Sequence, residues 1–167
     1  GSYYEGLVNF KTNMVAPKHK WYDYKQGYSE KLVRHIIDEE NPSKEYFILD
    51  PFCGVGTTNL TSIDMGYKTV GFDINPMAIL ASKTKTHYYS DNEILLIEKL
   101  VNGFSLPSSK IEIEMGKVIQ TSFTEDVLDI LLKIRFFVES IESEYVQALF
   151  RLALISIIDK CSLKIKD

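Results

Sequence analysis

Residues 3–27 mix aromatic, basic and polar positions without a period, and Pro17 interrupts them; this predicts an extended arm packing through Trp21, Tyr22, Tyr24 and Tyr28. From Ser29 the pattern turns helical. Ser29 is a good N-cap, Glu30 lies in the first turn, and Leu32, Val33, Ile36 and Ile37 share a face until Asn41-Pro42 ends the run. The block Tyr46-Phe47-Ile48-Leu49 predicts a buried strand over 45–50, closed by Asp50. A turn over 51–56 leads into a helix over 57–65 that Gly66 stops. A second strand over 68–73 runs through Val70 and Phe72, and Pro76 opens a helix over 76–85. This alternation predicts parallel strands with helical crossovers, an α/β fold. Beyond it, 91–104 reads as helix and 110–120 as a β-excursion through Ile111, Ile113 and Val118. Helices over 124–140, capped by Thr124, and 143–161 complete the chain. The last is so apolar between Tyr145 and Ile158 that it demands cover from elsewhere. Three segments follow: an aromatic and basic arm over 1–28, an α/β core over 29–90, and a mainly helical segment over 91–167 that contacts a partner or forms an insertion.

Composition narrows the class. With 167 residues, 45% hydrophobic, 25% charged and a mean hydropathy of −0.08, the chain is one domain or a large piece of one. It is neither a disordered tail nor a membrane bundle, since no apolar run approaches the roughly 18 residues of a bilayer span. The start has no basic and apolar pattern of a secretory signal, with Gly1-Ser2 set aside. The two cysteines, Cys53 and Cys161, lack the spacing of a disulfide framework or a zinc site, and a cytoplasmic setting is expected. Net charge is −4, yet the first 35 residues hold six basic side chains against three acidic ones. Such an arm is compatible with phosphate contacts without requiring them. No metal-ligand constellation stands out.

The informative stretch is Asp50-Pro51-Phe52-Cys53-Gly54-Val55-Gly56-Thr57-Thr58. A strand ends in an acid, a glycine turn follows, and a helix begins, at the place where open α/β sheets bind ligands. Gly54 and Gly56 would let backbone approach a ligand closely. The helix start at Thr57-Thr58 offers free N–H groups to a carboxylate, while Asp50 suits an ammonium. Asp73, at the end of the next strand, can accept both hydroxyls of a ribose, and Ile74 and Pro76 would wall an adenine. An amino acid joined to a nucleoside describes S-adenosylmethionine. A nicotinamide dinucleotide is the rival; the third glycine of its fingerprint is replaced by Asn59, and Asp50 would repel a pyrophosphate. The plainest alternative is a strand–turn–helix with glycines for the bend and acids for caps.

This loop, with Gly71-Phe72-Asp73-Ile74-Asn75-Pro76, resembles the cofactor-binding half of the class I methyltransferases. It is most similar to the amino-group DNA methyltransferases of restriction–modification systems. The stretch from Trp21 to Val33 resembles the aromatic element that precedes the loop in those enzymes. The resemblance implies a partial Rossmann-like fold, S-adenosylmethionine as cofactor and DNA as partner. Asp50, Phe52, Gly54, Gly56 and Thr57 would hold the methionine portion, Asp73 the ribose and Ile74 the adenine. Tyr28 and Ser29 would close over the amino-acid end.

The family's catalytic tetrad, an Asp, Asn or Ser followed by Pro-Pro and an aromatic residue, is absent, because none of the five prolines are adjacent. No catalytic residue is assigned, and the isolated chain is expected to be inactive. It reads as the N-terminal part of a longer enzyme or one subunit of a split one, completed by a polypeptide that carries the tetrad. The alternatives are part of an RNA guanine-N2 methyltransferase and a non-catalytic subunit that binds cofactor or assembles with a partner. Cys53 reads as a small loop filler, His19 as part of a solvated or phosphate-binding arm, and His35 as packing.

Overall fold

A computed structural model of the chain describes residues 13, 18–22, 28–111, 113 and 116–163. Two compact units form, over 1–87 and 88–167.

In the first unit, His19–Trp21 makes one turn of 3-10 helix where an extended arm was expected. Trp21, Tyr22 and Tyr28 are partly buried, and Tyr24 lies outside the described residues. Helix α1, Glu30–Glu40, begins where the sequence says it should, with the Ser29 hydroxyl accepting from the Lys31 N–H at 3.1 Å. Its C-cap Asn41 is left-handed at φ 39°. Strand β1 is Phe47–Asp50, α2 is Thr57–Asp64, β2 is Lys68–Gly71 and α3 is Pro76–Thr86. Asn75 caps α3 by accepting from Met77 N–H at 2.9 Å, with Pro76 in the first turn.

The strands pair in parallel, with Ile48 opposite Thr69 and Asp50 opposite Gly71. Successive side chains leave a strand on opposite faces, so the two faces have different fates. On one, Ile48 packs against Val33 and Ile37 of α1 and against Tyr67, while Thr69 accepts from the Asn59 amide of α2 at 2.8 Å. On the other, Phe47 and Leu49 are each 60% exposed, with Val70 also exposed and Phe72, just beyond β2, like them. Parallel strands normally have both faces covered. An apolar groove of about 390 Å3, lined by Leu32, Ile36, Ile37, Pro42 and Ile48 among others, runs beside β1.

The second unit is helical among the described residues: α4 is Asp91–Gly103, α5 Lys117–Gln120, α6 Glu125–Glu139 and α7 Glu144–Cys161. Ser90 and Glu93 form a capping box on α4, and Thr124 caps α6. The expected β-excursion over 110–120 is corrected here for the described residues, with 112, 114 and 115 lying outside them. Ile111 and Ile113 belong to no strand, and 117–120 is a helical turn. Two alternating isoleucines are too short a signal to make a strand without a neighbour to pair with. Part of the apolar α7 packs within the chain, against α6 and α4. Val146, Leu152 and Leu154 are buried, and Phe137 of α6 meets Phe150 edge-on at 5.9 Å. A large uncovered apolar face lies on the sheet. No helix among the described residues is long and apolar enough to cross a membrane.

Candidate cofactor site

The residues singled out by sequence all fall in the first unit, and most converge at the carboxyl ends of β1 and β2. Asp50 closes β1. Its Oδ1 accepts from the Phe52 N–H at 3.0 Å, which starts the turn, and its Oδ2 accepts from the Tyr28 hydroxyl at 2.8 Å. The Thr58 hydroxyl also bonds the Tyr28 oxygen. Burial, the largest influence, pushes the Tyr28 phenol up to about 12, so it stays protonated.

Asp73 lies two residues beyond β2 and reaches back. Its Oδ2 accepts from the Gly54 N–H and its Oδ1 from the Asn75 N–H, both at 2.8 Å. The Cys53 N–H donates to Phe72 O and the Phe72 N–H to Asp50 O, at 2.8 and 2.9 Å. The glycine loop is thus laced to the segment after β2, and Asp50 and Asp73 flank the same turn. Each carboxylate oxygen has two lone pairs, so both acids keep acceptor capacity for a ligand.

Gly54 and Gly56 both adopt positive φ, 50° and 81°, a region that side chains with a Cβ rarely enter. At Gly56 the reason is also steric. A Cβ there would meet Ser82 Oγ at 2.3 Å, so its bare side is turned toward α3. The close approach at this glycine is between loop and helix. The first intrahelical bond of α2 runs from Leu60 N–H to Gly56 O, which places the N–H groups of Thr57, Thr58 and Asn59 ahead of the ladder. The Thr57 side chain is buried.

Phe52 and Ile74 stand out from the two ends of the site, 85% and 99% exposed. Ser29 differs: it is fully buried, and its hydroxyl caps α1 behind Tyr28. The Cys53 thiol is buried and raised above its ordinary range, mainly by desolvation, which fits a loop filler. Among the described residues no group of His, Cys, Asp or Glu is arranged to hold a metal.

Other side chains contradict local expectation. His19, expected on a solvated arm, is buried 3.5 Å from Glu30, and desolvation lowers its pKa. The Lys85 ammonium is buried and donates to His19 O at 3.1 Å. Sequence alone did not single out Lys85 or Ser82. Thr58 entered only for its backbone, although its place in the first turn of α2, beside the glycine loop, marks its hydroxyl as a candidate.

The sequence profile of the DNA methylase family, of the N6/N4 type, matches residues 7–84, the stretch that carries the loop and both acids. The chain is 31% identical over 164 residues to the type II methyltransferase M.BsoBI of Geobacillus stearothermophilus, covering 96% of this chain and 32% of that protein. It is 34% identical over 71 residues to the type II methyltransferase M.AvaI of Nostoc sp., covering 42% and 15%. To the type II methyltransferase M.MjaII of Methanocaldococcus jannaschii it is 29% identical over 113 residues, covering 61% and 20%. No solved structure matches significantly. The chain spans a third or less of the length of these relatives. Over residues 7–84, just under half of the chain, where a glycine loop is laced between two strand-end acids, the chain is similar to the N6/N4 DNA methylase family.

Proposed function

We propose that this chain is the S-adenosylmethionine-binding portion of a DNA methyltransferase acting on an exocyclic amine, adenine N6 or cytosine N4. The observation that carries the reading is the lacing of Gly54 to Asp73, which sets the two acids around one loop with acceptor capacity left on each. The site fits the cofactor's chemistry: an anion for an ammonium, unladdered N–H groups for a carboxylate, a second anion for a diol, and exposed apolar side chains for a ring.

In this reading Asp50 faces the ammonium, Phe52, Gly54 and the start of α2 at Thr57 surround the methionine portion, Asp73 takes the ribose hydroxyls and Ile74 lies on the adenine. Gly56 serves by fixing the loop against α3, and Ser29 by capping α1 so that Tyr28 reaches Asp50. Bound here, S-adenosylmethionine would supply an electrophilic methyl group to an amine nitrogen. The chain's own residues bind and orient, and alignment and electrostatics are the main sources of rate in such a transfer. Orientation of the acceptor amine falls to a Pro-Pro tetrad supplied by the remainder of a longer enzyme or a second polypeptide. The bare sheet face and the groove beside β1 are the surfaces it would cover. A cytoplasmic location belongs to the same reading.

Calorimetry with S-adenosylmethionine, followed by methyl transfer to DNA with and without the complementary polypeptide, tests this. Binding by the chain, with transfer only in the complex, is expected. No binding even in the complex would refute the cofactor reading. Transfer to RNA guanine alone would favour the related RNA enzymes, and binding without transfer in any complex would favour an assembly subunit.

A further inference from the structure

We propose that Tyr28 and Thr58 are positioning residues that act through Asp50, forming a directed hydroxyl relay that holds its carboxylate toward the ammonium of the ligand. The inference rests on the cofactor reading above and adds two side-chain roles to it.

Proton accounting fixes the direction. An ionised carboxylate only accepts, so the single Tyr28 proton lies on the bond to Asp50 Oδ2 at 2.8 Å. Thr58 must then donate its own proton to the Tyr28 oxygen. The sequence Thr58 O–H to Tyr28 O–H to Asp50 runs one way, and each bond polarises the next. It also spans three segments: the residue before the Ser29 cap, the end of β1 and the first turn of α2. The other Asp50 oxygen is steered by the Phe52 N–H at 3.0 Å. With one donor on each oxygen the carboxylate plane is held, and each oxygen keeps a lone pair with which to receive a cation.

The relay therefore affects the amino-acid half of a ligand and leaves the nucleoside half alone. This separates positioning from a general loss of structure. Two probes are needed: S-adenosylhomocysteine, which carries the ammonium, and 5′-methylthioadenosine, which lacks it. In the 167-residue chain, Tyr28→Phe is expected to weaken S-adenosylhomocysteine roughly 10-fold, the range for one hydrogen bond to a charged group, and to leave 5′-methylthioadenosine within twofold. Thr58→Val should move the same probe in the same direction by less, and Thr58→Ser should restore it. Equal weakening of both probes by Tyr28→Phe would overturn the proposal in favour of a structural role. Unchanged S-adenosylhomocysteine affinity would overturn it as well. If the unaltered chain binds neither probe, alone or with the complementary polypeptide, the cofactor reading itself fails, and the relay's assignment falls with it.

Discussion

The Gly54 backbone N–H donates to Asp73 Oδ2 at 2.8 Å across 19 residues of chain. This bond joins the turn after β1 to the residue that follows β2, and the second Asp73 oxygen, held by Asn75, keeps the carboxylate from rotating away. One acid thus shapes the loop and, in the proposed function, faces the ribose.

Replacing that acid should therefore be felt twice. Asp73→Ala is expected to weaken S-adenosylmethionine by about 1–3 kcal/mol and to destabilise the loop by a similar amount, since two N–H groups lose a charged acceptor. Asp73→Asn keeps one acceptor oxygen and should lose about half as much. Calorimetry and urea unfolding on the same samples measure the two effects, and wild-type affinity in Asp73→Ala would contradict the placement.

Gly56→Ala should destabilise the fold even without ligand. The left-handed φ of 81° costs a Cβ about 1–2 kcal/mol, and contact with Ser82 Oγ at 2.3 Å adds overpacking of about 1–3 kcal/mol. Pairing it with Ser82→Gly should recover the packing part alone. Denaturation midpoints of the two single variants and the pair give the coupling. At Gly54, also at positive φ, a valine would strain the backbone besides blocking a ligand, so Gly54→Val is expected to lose stability as well as affinity.

Lys85 should contribute a stability that rises with pH between about 8 and 10.5, opposed toward the upper end by the raised Cys53 thiol and Tyr28 phenol, which the unfolded chain ionises first. Desolvation lowers its pKa from 10.5 to about 8. Between those values the unfolded chain holds a proton that the folded chain has released, so raising the pH favours the folded state. Below about 8 the burden of the buried charge is complete, on the order of 3 kcal/mol. Lys85→Met should flatten this slope and stabilise the protein at neutral pH. Unfolding midpoints from pH 7 to 10.5 measure it, and a wild-type slope in the variant would show that another group titrates.

The bare sheet face should tolerate polar residues. Leu49→Thr and Phe72→Thr remove apolar area that is 60% and 59% exposed, so each is expected to change the stability of the chain by about 0.5 kcal/mol or less. The same changes should impair assembly with a complementary polypeptide, read by co-purification and by transfer activity. A loss above about 2 kcal/mol in the isolated chain would show that this face already packs on something.

Much of this was legible locally. Ser29, Asn75, Ser90 and Thr124 carry their capping chemistry within three residues of the N–H groups they satisfy, and Gly66 marks a helix end by its own backbone freedom. Asp50, the glycine turn and Asp73 could be placed at one end of the sheet because parallel pairing leaves no other arrangement for a strand–helix–strand unit. Burial of charge was not legible. Lys85 and His19 lie 66 residues apart, and nothing in either neighbourhood says that one will donate to the other's carbonyl out of water.

The sequence by itself determined the longer helices, the two strands and the identity of the loop proposed to face a ligand, since each depends on residues within a few positions of one another. Tertiary structure alone decided that Gly56 makes room for Ser82, that Thr58 reaches Asp50 through Tyr28, and that one face of the sheet is bare. Those outcomes depend on which distant surfaces meet, and packing selects among them by excluded volume and proton placement, which no periodicity records.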